Sequence, residues 1–98
     1  MLDWLKVLGS QTPMKEVTVY TRPFCPFCVR ALSLLSRKGV EVKELSAGFD
    51  KKLRAEMLQR SKGAATYPQI FIGDTHVGGC DDLYALESAG KLEALLNE

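Results

Sequence analysis

The order of apolar patterns in this 98-residue chain predicts an α/β domain: a mixed four-stranded sheet in the order βαβαββα, flanked by helices and preceded by an N-terminal extension. Three observations lead there. Two stretches with β-type patterning, Val17–Tyr20 and Val40–Leu45, are each followed by residues at helical spacing, which makes a βαβ unit with parallel strands. A further β-rich run, Gln69-Ile70-Phe71-Ile72, reaches Thr75-His76-Val77 through Gly73-Asp74, a hairpin signature that adds an antiparallel pair. Helical spacing then returns for the rest of the chain.

Residues 1–13 read as an appendage. Leu2, Leu5 and Leu8, with Trp4 and Val7, suit one short amphipathic helix before a break at Gly9–Pro13, and Met14 is a second plausible start. The domain proper is therefore expected to span residues 14–98. The first strand stops at Arg22-Pro23, and Pro26 stands where a first-turn proline is tolerated. Val29, Ala31, Leu32, Leu34 and Leu35 give the first helix a broad apolar face, which Gly39 ends. After the strand Val40–Leu45 and a loop at Gly48, Leu53, Met57 and Leu58 mark a second helix over Lys51–Arg60. Gly78-Gly79 closes the hairpin. Asp81-Asp82 then puts carboxylates at the start of a helix carrying Leu83, Leu86 and Ala89, and Gly90 separates a last helix with Leu92, Leu95 and Leu96.

Thirteen basic against twelve acidic residues leave a formal net charge of +1, too little to hold a nucleic acid or an anionic membrane surface by charge alone. The sequence has no apolar run of about 18 residues, so no spanning helix is expected. Three cysteines are an odd number for a disulfide scaffold, and no signal-peptide pattern opens the chain, so a reducing, cytoplasmic setting is the expectation. In that setting paired cysteines point to chemistry or to metal.

Cys25-Pro26-Phe27-Cys28 falls between the first strand and the first helix. That places Cys25 at a helix N-terminus, where unpaired N–H groups and the helix dipole favour a thiolate, and Arg22 adds a nearby positive charge. Cys28 lies one turn further in, close enough to form a disulfide with Cys25. The asymmetry makes Cys25 the attacking thiol and Cys28 the resolving one. A structural or metal role remains the alternative for any C-x-x-C, and Cys25, Cys28, His76 and Cys80 together have the composition of a closed zinc site. Against it, Cys25 opens a helix and Pro26 removes a donor that would support a bound sulfur. Taken alone, His76 reads as a solvent-facing strand residue.

Three motifs in this order and spacing give the chain its resemblance to a known family. They are Tyr20-Thr21-Arg22 leading into Cys25-Pro26-Phe27-Cys28, then Thr66-Tyr67-Pro68-Gln69-Ile70-Phe71-Ile72, then Gly78-Gly79-Cys80-Asp81-Asp82-Leu83. From about Glu16 to Leu96 the sequence resembles the dithiol glutaredoxins of the thioredoxin superfamily, with Phe27 where tyrosine is commoner. The resemblance implies a thioredoxin-like fold and a glutathione-dependent thiol–disulfide oxidoreductase. It also implies glutathione as reducing co-substrate, no permanently bound cofactor and no metal. The implied partners are glutathione and disulfide-bonded or glutathionylated proteins, with no nucleic acid and no membrane, and the implied state is a monomer.

A glutathione groove follows from the same resemblance. Backbone N–H groups at the Gly79-Cys80-Asp81-Asp82 turn would hold the γ-glutamyl carboxylate, while Asp81 or Asp82 would take the ammonium. Pro68 would be cis, leaving the main chain of Tyr67 to pair with the cysteinyl part of the ligand like an added strand. Phe27 would form an aromatic wall, and Arg22 and Arg54 would serve the glycine carboxylate. Cys80 resembles the family's extra, non-catalytic cysteine. Tyr67 stands where the family commonly has valine, so its bulk is expected to narrow or re-aim the groove beside the reactive sulfur. Two rival readings are a thioredoxin-like reductase, which would carry Trp-Cys-Gly-Pro-Cys instead, and a cluster-bridging role, which Pro26 disfavours.

Overall fold

A computed structural model describes residues 15–97. The extension Met1–Pro13 read from the sequence lies outside the described residues.

The strand that organises the domain is β1, Val17–Thr21, all five of whose residues are buried. It pairs in parallel with β2, Val42–Ser46, and antiparallel with β3, Gln69–Ile72, which pairs antiparallel with β4, Thr75–Gly78. The sheet order is β2-β1-β3-β4. Because successive side chains leave a strand on opposite faces, β1 and β3 feed two cores. Val17, Val19, Ile70 and Ile72 pack with Ala31, Leu34 and Leu35 of α1, Pro26–Arg37, and with Leu83 of α3, Cys80–Ser88. Leu92 and Leu96 of α4, Leu92–Asn97, complete that cluster. Tyr20 and Phe71 point the other way and meet Ala47 and Met57, the latter from α2, Lys51–Arg60.

The expected element order is therefore present, and the largest shift of a strand boundary is at the start of β2. The alternation from Val40 suggests a strand beginning there, whereas β2 starts at Val42. Val40 is occupied in ending α1: its N–H bonds the carbonyl of Leu35 at 3.4 Å and that of Gly39 bonds Ser36 at 3.0 Å, the paired closure of a Schellman motif. Only after it does the chain meet β1, in the register Val17 to Val42.

Helix α2 is attached differently from the others. Met57 is its one fully buried residue, so little apolar area secures it. A polar clamp supplements this contact: the buried Tyr20 hydroxyl donates to the Glu56 carboxylate and accepts from Arg60 Nη1 at 3.0 Å. The Arg60 guanidinium also lies 4.2 Å from the Phe71 ring centroid. Burial, reinforced by Glu56, raises the Tyr20 pKa and keeps the hydroxyl a donor. At its start, Asp50 accepts the Leu53 N–H at 3.0 Å as the N-cap.

With so little burial behind α2, its cap should count. We expect Asp50→Ala to lower unfolding free energy in urea by about 1 kcal/mol and Asp50→Ser to restore most of it. Equal stability of all three proteins would show that α2 does not depend on its cap.

Candidate active site

Both cysteine positions follow from the way α1 begins. Cys25 has extended backbone angles and is the N-cap, Pro26 takes the first helical position without needing a donor, and Cys28, at the third, turns its N–H back to the cap. That N–H donates to Cys25 Sγ at 3.2 Å. Cys25 Sγ also lies 3.9 Å from the carbonyl oxygen of Tyr67. Both cysteines are 3% exposed, and the Tyr67–Pro68 peptide is cis, as the resemblance implies.

The two inner thiols are held in their protonated form. Burial, then a hydrogen bond with Cys25, pushes Cys28 up to about 12. Burial raises Cys80 as well, with the Arg30 charge opposing it.

Beside this pair opens a cleft of about 410 Å³, a size ordinary for small-molecule sites. Of the residues singled out in the sequence, it gathers Phe27, Tyr67, Pro68, Cys80, Asp81 and Asp82. Arg22 and Arg54 are exposed and lie outside its lining. The two aspartates differ in their surroundings. Both are exposed, and Asp82, at the third position of α3, is the one that accepts the N–H of the N-cap Gly79, at 2.9 Å. Gly78 makes room for this arrangement: its φ is +117°, and a Cβ there would sit 2.3 Å from Asp82 Oδ2.

Tyr67 does not simply fill the groove. Its ring packs against the Tyr20–Met57 core, and its hydroxyl donates to the carbonyl of Ala47 at 3.4 Å. The larger side chain is thus partly drawn toward the α2 side while its main chain stays beside Cys25.

The sequence reading assigned no role to a hydrogen-bonded chain in the cleft lining, Thr66, Gln69 and His76. Gln69, 3% exposed, donates through Nε2 to the Thr66 carbonyl at 2.9 Å and the Thr66 hydroxyl at 3.0 Å. Its Oε1 pairs with His76 Nε2 at 2.7 Å, and the imidazole stacks on Phe71 with centroids 4.7 Å apart. Although exposed on its strand, His76 thus helps to brace the turn that carries Tyr67. The available signal was one amide in the apolar run Gln69–Ile72, since a buried polar group needs partners. Among the described residues, no group of three or more His, Cys, Asp or Glu is arranged to hold a metal ion, and no helix is long and apolar enough to cross a membrane.

The chain is similar to known proteins in both sequence and fold. The family model described as Glutaredoxin matches residues 17–77. A glutaredoxin from Pseudomonas aeruginosa is 57% identical over 84 residues, covering 86% of this chain and 99% of the relative. The solution structure of glutaredoxin from Brucella melitensis superposes with a TM-score of 0.75 at 60% identity, covering 87% of this chain and 91% of that one. The crystal structure of a buckwheat glutaredoxin–glutathione complex gives a TM-score of 0.74 at 26% identity, covering 97% and 89%. With a family match over more than half its length and relatives this close along almost their whole sequences, the chain belongs to the glutaredoxin family of glutathione-dependent thiol oxidoreductases.

Proposed function

We propose that the protein reduces glutathione mixed disulfides and protein disulfides, with Cys25 as nucleophile and Cys28 as resolving thiol. The observation that carries this reading is the Cys28 N–H to Cys25 Sγ bond at the start of α1. It stabilises negative charge on one sulfur, while burial keeps its partner a thiol.

For a glutathionylated protein, the Cys25 sulfur attacks the glutathione sulfur of the mixed disulfide. The new bond joins Cys25 to glutathione, and the protein thiolate leaves and takes up a proton. A second glutathione thiolate attacks the glutathione sulfur on Cys25, releases the Cys25 thiolate and departs as oxidised glutathione. For a protein disulfide, Cys25 forms a mixed disulfide with one substrate sulfur and releases the other. Cys28 gives up its proton, attacks Cys25 and releases the reduced substrate. Two glutathiones then reduce the Cys25–Cys28 bridge.

The cleft suits glutathione as co-substrate. The N–H groups opening α3 at Cys80 and Asp81 receive the γ-glutamyl carboxylate, and Asp81 takes the ammonium while Asp82 holds the turn. The Tyr67 main chain, set by Pro68, pairs with the cysteinyl residue, and Phe27 walls the groove. Arg22 and Arg54, outside the cleft, provide positive charge for the glycine carboxylate. Cys80 contributes backbone and bulk, not redox chemistry. We take the protein to be a cytoplasmic monomer without a resident cofactor, a setting that its odd cysteine count supports.

The defining experiment is glutathione-dependent reduction of a glutathione mixed disulfide, coupled to glutathione reductase and NADPH. Cys25→Ser should abolish turnover, whereas Cys28→Ser should retain it and lose only the reduction of dithiol substrates. Activity surviving in Cys25→Ser would refute the assignment.

The difference in reactivity between the thiols can be read by alkylation. With limiting iodoacetamide at pH 7, we expect carboxamidomethylation on Cys25 and not on Cys28 or Cys80. Because the thiolate fraction of a thiol rises about tenfold per pH unit below its pKa, Cys28 should become labelled progressively as pH climbs toward about 12. Equal labelling of Cys25 and Cys28 at pH 7 would contradict the stated asymmetry.

The turn that carries Asp82 gives a separate test. A methyl at position 78 would displace the carboxylate that accepts from Gly79, so Gly78→Ala should raise the KM for glutathione about tenfold or more. An unchanged KM would remove that turn from the binding site.

A further inference from the structure

Three of the four phenylalanines, residues 24, 27 and 49, are exposed, and only Phe71 is buried. Phe24 is 96% exposed and Phe49 90%, and neither belongs to a core cluster. A single exposed ring would need no explanation, but the loops that carry these two pack against each other. Phe24 follows β1 and Phe49 follows β2, and the ends of those strands are joined by the Ala47 N–H to the Thr21 carbonyl at 2.8 Å. Gly48 seats one loop against the other so closely that a Cβ on it would lie 2.5 Å from Arg22 Cβ and 3.1 Å from Pro23 Cδ. Phe24 also has a φ of +55°, a left-handed conformation that disfavours a bulky residue. An aromatic side chain in that position, turned to solvent beside the nucleophile, calls for a use.

The sheet order gives the ledge a place. The cleft is lined by Phe27, by the turn into β3 and by the junction of β4 with α3, and neither Phe24 nor Phe49 takes part in its lining; the two rings follow β1 and β2. Cys25 follows Phe24 in the chain, and its sulfur lies 3.9 Å from the carbonyl oxygen of Tyr67, a residue of the cleft. Glutathione has no large apolar side chain to place on these rings, so the other partner of the mixed disulfide is the better occupant. Lys51 and Lys52, both exposed, open α2 just beyond Phe49 and edge the ledge with positive charge.

Resting on the thiol exchange assigned above, we propose that Phe24 and Phe49 form the docking ledge for polypeptide substrates. The favoured segment is extended and carries a large apolar side chain, with a carboxylate beyond it, within a few residues of the reacting cysteine. The rings bury against the apolar side chain, and Lys51 and Lys52 attract the carboxylate.

The test compares three glutathionylated substrates: a short peptide with Phe and then Glu after its cysteine, the same peptide with Ser at both positions, and free cysteine as its glutathione mixed disulfide. Phe24→Asn keeps a residue that tolerates the left-handed conformation and is combined with Phe49→Ser. We expect wild type to favour the Phe-Glu peptide. The double variant should show a KM for it higher by about tenfold, with turnover of the cysteine–glutathione disulfide unchanged. Phe24→Leu should keep the preference, since it keeps an apolar surface. A double variant that still discriminates between the peptides as wild type does would overturn the ledge. A wild type inactive on the cysteine–glutathione disulfide would instead overturn the underlying reaction, and the ledge's role with it.

Discussion

One short-range contact organises the chemistry of this domain: the N–H of Cys28 donating to the sulfur of Cys25 at 3.2 Å. It exists because a cysteine occupies the N-cap of α1, a position whose side chain ordinarily offers oxygen to the same amide. The strand before it is buried on both faces and the helix after it is packed along Ala31, Leu34 and Leu35, so the cap residue has little freedom to move. The sulfur is therefore fixed by the fold, and its partner thiol is enclosed by the same packing that fixes it.

The second half of the site comes from β3 and β4 and depends on sheet topology. Because β3 runs antiparallel to β1, the Tyr67–Pro68 turn at its start comes to the end of β1, and the Tyr67 carbonyl lies beside Cys25. Because β4 reverses again, the start of α3 reaches the same end of the sheet. Behind these turns the Thr66–Gln69–His76 chain and the Asp82 cap hold the backbone by side-chain hydrogen bonds. An exchange reaction that needs three sulfurs near a line gains from such preorganisation, since orientation is set before substrate arrives.

Much of this was legible in the residues because local and global signals agree there. Pro26 after a β-rich run, Gly39 after an apolar helical face and Gly73-Asp74 between two β runs each mark the boundary that the structure has. Val40 was misleading because its side chain fits a strand while its amide is spent on closing α1, and patterning reports side chains only. The course of the Tyr67 ring toward Ala47 was hidden for a related reason: it depends on what α2 and the loop before it bring across the sheet. Asp81 and Asp82 look alike in sequence and are both exposed, and only helix position makes Asp82 the one bonded to Gly79. The exposure of Phe24 and Phe49 ran against hydrophobicity itself, which would have placed both rings in a core.

The central claim is that position at the start of α1 makes Cys25 the attacking sulfur and no other. Its most direct test is to treat Cys28→Ser, which cannot form the internal bridge, with one equivalent of oxidised glutathione at neutral pH and map the adduct by peptide mass spectrometry. The account expects the glutathionyl group on Cys25 alone. An adduct on Cys80, or one divided between Cys25 and Cys80, would contradict it.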